Sequence, residues 1–149
     1  MSQQMFPGTC VPASLTQVKL ALCGGDEGQV EGAMLLYGLQ HYGTNFTNDG
    51  VPLGGIADFT NNFFNTTILY PTNNFQGAIN AGYPIMVNIF AYMDGPNTAV
   101  YYSVVITGYN PDNTSEVYYL DPATGTTKTG DGASILTQSH YSIPIVSCK

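Results

Sequence analysis

A cysteine at position 10 opens a run that reads as the start of a helix, Cys10-Val11-Pro12-Ala13-Ser14-Leu15, and Gln4 stands six positions upstream. The two residue types suit one chemistry. The partial positive charge at a helix N-terminus favours a thiolate, the nucleophilic form of cysteine. A glutamine amide that folds back can donate a hydrogen bond to the oxyanion formed when that thiolate attacks a carbonyl. Cys10 as nucleophile and Gln4 as oxyanion-hole donor make half of a thiol-hydrolase site. The helix terminus alone contributes little, at most about 1 kcal/mol at an exposed end. That is under one pKa unit, so the thiol needs a further partner to ionise near neutral pH.

Two histidines are available as partners. His41 falls at the C-terminal end of a helical pattern, where imidazolium suits the negative end of the helix, and reads as a capping residue. His140, between Ser139 and Tyr141 ahead of the last strand, reads as a surface residue, with an approach to Cys10 as the lesser alternative. Two histidines and three cysteines sit at no metal-ligand spacing, so neither metal nor cofactor is expected. Gly24-Gly25 and Gly54-Gly55 match no phosphate loop and read as caps and turns.

The cysteines are Cys10, Cys23 and Cys148. A bridge between Cys23 and Cys148 would tie down the C-terminus and leave Cys10 as the lone thiol. Sequence carries no disulfide geometry, so that bridge stays open at this point. If formed, it favours an oxidising compartment. Asn-x-Ser/Thr triplets at Asn45, Asn65 and Asn113 are near what chance gives in a chain this rich in Asn, Ser and Thr.

The 149 residues are expected to form one domain, spanning 1–149, with a core large enough to need no staple. Charged residues are 9% of the chain and the net charge is -7. Lys19, Lys128 and Lys149 cannot make a basic patch, so nucleic acid is excluded as a partner. No run reaches the ~20 apolar residues of a membrane span, so membrane insertion is not expected. Solubility carried by Asn, Thr, Ser, Gly and Tyr leads us to expect an extracytoplasmic or secreted protein, although no signal peptide precedes the motif. Nothing in the residues speaks to oligomeric state.

These groups must be held by elements of two kinds. Val11, Leu15, Val18 and Leu22 form one helical stripe that Gly24-Gly25 ends. A second helix fits Gln29 to Tyr42, with Val30, Met34 and Tyr37 on one face. A third covers Gly54 to Phe64, a short strand is expected at Thr66 to Tyr70, and a short helix at Asn74 to Ala81. The period then changes to two. Pro84 to Tyr92 sets Ile85, Val87 and Ile89 against Met86, Asn88 and Phe90. Val100 to Tyr109 reads as a central strand buried on both faces. Asn110 to Asn113 is a turn, followed by strands at Glu116 to Leu120, Thr124 to Thr129 and Tyr141 to Val146. Tyr92, Tyr101, Tyr102, Tyr109, Tyr118 and Tyr119 read as sheet packing, with a peptide groove as the lesser alternative. Helices first and an antiparallel sheet after make an α+β architecture.

Several blocks resemble the papain-like cysteine peptidases, most of all the branch similar to bacteriocin-leader peptidases. Gln4-x5-Cys10-Val-Pro-Ala-Ser-Leu is similar to a Cys-Gly-Pro-Ala-Ser-Leu start. Ala81-Gly82-Tyr83-Pro84-Ile85-Met86-Val87 is similar to a Gly-x-Pro-Val strand. Tyr102 to Tyr109 resembles a His-x-Val-Val-x-x-Gly-Tyr strand, and Tyr118 to Pro122 an Asp-Pro strand end. The resemblance implies a papain-like fold with Cys10, Gln4 and Asp121 in the site and Tyr102 where the family places its general-base histidine. A phenol is neither a base at neutral pH nor a cation to pair with a thiolate. The implied function is therefore a thiol peptidase or amidase acting on a peptide, impaired by Tyr102. The alternative is a degenerate peptidase that binds a peptide or protein without cleaving it.

Overall fold

The computed structural model describes residues 9–69, 74–93, 95–97 and 99–149. Gln4, Tyr70 and the side chain of Tyr92 lie outside the described residues.

The first element is the helix that carries the thiol, α1 (Cys10–Cys23). Val11, Leu15 and Val18 are buried as the stripe requires, whereas Leu22 is 40% exposed because α1 has by then run past the core. Gly24, at φ +71°, turns the chain out of the helix and donates its N–H to the Leu20 carbonyl. Asp26 caps α2 (Glu27–Tyr42), its side chain accepting from the Gln29 N–H. Met34 is the fully buried apolar side chain of that helix, with Val30 and Tyr37 half-buried beside it. Gly38 has to be a glycine, since the Phe46 ring lies where a Cβ would sit. Phe46 opens the one-turn helix α3 (Phe46–Asp49), which the hydrophobic pattern did not suggest because only one of its four residues is buried. A 3-10 turn (Leu53–Gly55) leads into α4 (Ile56–Phe63).

The strand expected at Thr66 to Tyr70 starts earlier, as β1 (Phe64–Thr66). The fully buried Phe64 draws the chain into the sheet there, and Ile68 is left 84% exposed. Asn74 caps α5 (Phe75–Asn80) through the Gly77 N–H. Then come β2 (Ile85–Met93), β3 (Ala99–Asn110), β4 (Asn113–Asp121) and β5 (Thr126–Asp131). A helix not foreseen, α6 (Gly132–Gln138), precedes β6 (Ser142–Cys148). Its signal was present: Asp131 caps it, accepting from the Ser134 N–H at 2.9 Å, and Ile135-Leu136 supply its buried side.

The six strands form one antiparallel sheet in the order β1-β6-β2-β3-β4-β5. Pleating sends alternate residues to opposite faces. On one face Met86, Val105 and Ile145 pack under α1, α2 and α4 with Leu15, Met34, Phe59 and Phe64. On the other, Ile85, Val87, Val104, Ile106 and Val117 pack with Phe75, Ala78, Ile135 and Leu136 of α5 and α6. Val104, Val105 and Ile106 are fully buried, as a central strand covered on both sides demands. A disulfide joins Cys23, the last residue of α1, to Cys148, the last of β6. Cys10 is the free thiol.

Candidate active site

Cys10 is the first residue of α1, preceded by the buried Thr9, whose carbonyl accepts from the Ala13 N–H at 3.0 Å. The helix sits on the sheet so that its first turn meets β3. Ser14 donates its hydroxyl to the Ser103 carbonyl at 3.3 Å. The half-buried Cys10 thiol has as neighbours the Ser103 backbone and hydroxyl, and the backbone at Val11 and at Cys10 itself. These contacts favour the thiolate. Burial opposes them and is the larger effect, so it pushes the thiol pKa above its ordinary range.

Ser103 is 4% exposed and bonds in turn to the Tyr141 hydroxyl. Burial keeps the Tyr141 phenol neutral far into the alkaline range, and the nearby Cys10 acts in the same direction. Asn88 stands directly opposite Ser103 on β2, and Val87 opposite Ser142. Tyr141, one residue before β6, Asn88 on β2 and Ser103 on β3 therefore form one row on the face that carries Cys10.

Asn88, also 4% exposed, holds the chain that leads into β6. Its Oδ1 accepts from the Ser139 hydroxyl at 2.9 Å and the His140 N–H at 2.8 Å. Its own N–H donates to Ser139 Oγ at 3.1 Å. With Oδ1 so occupied, Nδ2 is left to donate to His140 Nδ1 at 3.1 Å. The exposed imidazole of His140 lies edge-on to Tyr101. His41, at the far end of α2, bonds the Tyr37 carbonyl and stacks on the Tyr37 ring.

The structure does not bring Tyr102 and Asp121 to Cys10. They face each other electrostatically, but on the opposite side of the sheet. Tyr102 packs with the cluster under α5 and α6, and Cys10 with the cluster under α1. A one-residue step along a strand reverses the face, so Ser103, next to Tyr102, is the residue the thiol meets. Asp121 is fully occupied: Oδ2 pairs with Lys128 at 2.6 Å and Oδ1 accepts from the Ala123 N–H at 2.9 Å. Ser103, Tyr141 and Asn88 were not singled out from sequence. Their signal was faint, a polar residue at an inward position in or beside each of three apolar strands.

A model of the Peptidase_C39 like family matches residues 1–141. The chain belongs to that family. The C39-like fold is thus papain-like, within the cysteine peptidases, and the family's activity type is that of a cysteine peptidase. No curated protein and no solved structure gives a match. Among the described residues, no helix is long and apolar enough to cross a membrane.

Proposed function

We propose that this C39-like domain is a papain-like thiol peptidase with impaired catalysis, and that the cleft where α1 meets β3 binds a peptide. The observation that carries this is the company of the Cys10 sulfur: hydroxyl and backbone groups of Ser103 and the backbone at Val11. A thiol peptidase needs a group that takes the proton and then returns it to the leaving amine. A serine hydroxyl hydrogen-bonded to a neutral phenol does neither near pH 7. Holding an extended peptide by strand addition needs no such proton transfer. The Cys23–Cys148 bridge favours an oxidising compartment and so an extracytoplasmic or secreted location.

A second reading is an active amidase in which the Ser103 and Tyr141 hydroxyls stabilise the oxyanion instead of activating the thiol. Their hydrogen bond beside the sulfur favours it. Screening extended peptides by calorimetry and by cleavage, for the native chain and a Cys10→Ala variant, separates the two. Impairment is expected to show as equal binding by both proteins and cleavage by neither. Cleavage by the native chain that Cys10→Ala abolishes establishes the amidase.

A further inference from the structure

Tyr102, which the family resemblance singled out, shares its sheet face with a hollow that the thiol site does not use. A cavity of about 230 Å³ opens between α6 and the sheet, lined by Ile89, Phe90, Tyr119, Ile135, Gly130 and Gln138 among others. Ile89 stands opposite Tyr102, and Tyr119 opposite Lys128. Tyr102 and Tyr119 also feel each other electrostatically, with Asp121 and Lys128 close by. The lining is thus apolar at Ile89 and Ile135 and polar at Tyr119, Ser134 and Gln138. Neither the Tyr102 nor the Tyr119 hydroxyl has a hydrogen-bond partner among the described residues. Gly130 keeps the hollow open: a Cβ there would lie 2.9 Å from Cδ1 of Ile135 and 3.3 Å from the Tyr119 ring.

We propose that this second face is a binding site separate from the thiol cleft, which takes a small neutral ligand with one aromatic ring and a carbonyl acceptor. Size sets the first limit. Drug-sized pockets run from roughly 300 Å³ upward, so about 230 Å³ suits a single ring with a short tail. Ile89 and Ile135 provide apolar walls against which that ring can pack. The polar lining sets the second limit. The Tyr119 hydroxyl in the lining, with Lys128 opposite it on β5, calls for an acceptor. Asp121 already neutralises Lys128, and the chain carries a net charge of -7. An anionic head is therefore disfavoured against a neutral carbonyl.

The test uses the full chain, isotopically labelled at isoleucine methyl groups, titrated with 3-phenylpropionamide and separately with 3-phenylpropionate. The amide is expected to shift the Ile89 and Ile135 methyls with a millimolar dissociation constant, and the carboxylate to bind several-fold more weakly. Ile135→Trp fills the hollow and should abolish the shifts. Gly130→Ala, which only pushes Ile135 inward, should weaken them at least threefold and keeps the test valid if the tryptophan variant misfolds. Tyr119→Phe should weaken amide binding about threefold, and Cys10→Ala should leave it unchanged. Failure of the amide to move either methyl at ten millimolar overturns the proposal. Equal binding of the two probes overturns its polar lining, and loss of binding in Cys10→Ala overturns the separateness of the site. None of these outcomes depends on whether Cys10 is reactive.

Discussion

The two faces of the sheet hold polar groups under different conditions. On the α1 face, Cys10, Ser103, Tyr141 and Asn88 are neutral hydrogen-bonding groups packed close together. On the α6 face, which holds the hollow, the polar groups are a buried carboxylate, a half-exposed lysine and two phenols. The neutral row can be buried because every bond in it is between uncharged partners. The ionic group survives because Lys128 closes the charge of Asp121. What the contrast teaches is that a strand one residue out of step with its expected facing assigns two residues to different chemistry. Ser103 meets the thiol, and Tyr102 meets the carboxylate.

The largest effect that could break this contrast is loss of the bridge. Cys23 and Cys148 are 125 residues apart in sequence, and chain-entropy arguments put the stabilisation at no more than about 5 kcal/mol. The bridge ties α1 to β6, the two elements that bring Cys10 and Tyr141 to Ser103. A Cys23→Ala/Cys148→Ala chain should lose stability in urea unfolding and show altered Cys10 labelling, while the Ile89 and Ile135 methyl signals stay put. Asp121→Ala comes next. Removing a carboxylate that is 1% exposed, with its turn bond to Ala123, should cost about 1–3 kcal/mol and leave Cys10 labelling unchanged. A change in labelling would join the two faces and defeat the contrast.

Histidine substitutions sharpen the facing itself. Tyr102→His should leave alkylation of Cys10 as it was, because its side chain is on the wrong side of the sheet. Ser103→His sets an imidazole against the sulfur and should raise alkylation at pH 6 at least tenfold, by pairing with a thiolate. The reverse outcome would put Tyr102 in the cleft.

How much of this the sequence carried depends on the period being read. The stripes of α1 and α2, the central strand, and the placing of Cys10 at a helix start followed from apolar spacing, because burial demands it. Gly24 marked the end of α1 for the same physical reason, a positive φ that side chains resist. Alternation along β3 said which residues share a face but not which face meets α1. That is settled by packing between Ser14 and Ser103, which no local pattern contains. The four-residue α3 and the seven-residue α6 were too short to show a period, although Asp131 marked the start of α6. Tyr141 and Asn88 looked like ordinary strand residues until β6 and β2 were brought side by side.

A smaller effect follows from pH. Folding holds the Cys10 thiol and the Tyr141 phenol protonated beyond the range in which the unfolded chain releases those protons. Their contribution is therefore complete below the unfolded pKa values and is lost as pH rises toward the folded ones. Urea midpoints should fall on going from neutral to strongly alkaline solution. Cys10→Ala combined with Tyr141→Phe should flatten that fall, whereas Tyr102→Phe should flatten it less.

The account rests on a thiol that meets hydroxyl and backbone groups where a peptidase would supply an imidazole. The most direct check is the rate of Cys10 alkylation by iodoacetamide as a function of pH, with the Cys23–Cys148 bridge intact. The expected profile is slow below about pH 8 and still climbing above about pH 9, beyond the range of an unperturbed thiol. A rate already at its plateau near pH 6 would mean a thiolate paired with a cation, and would contradict the account.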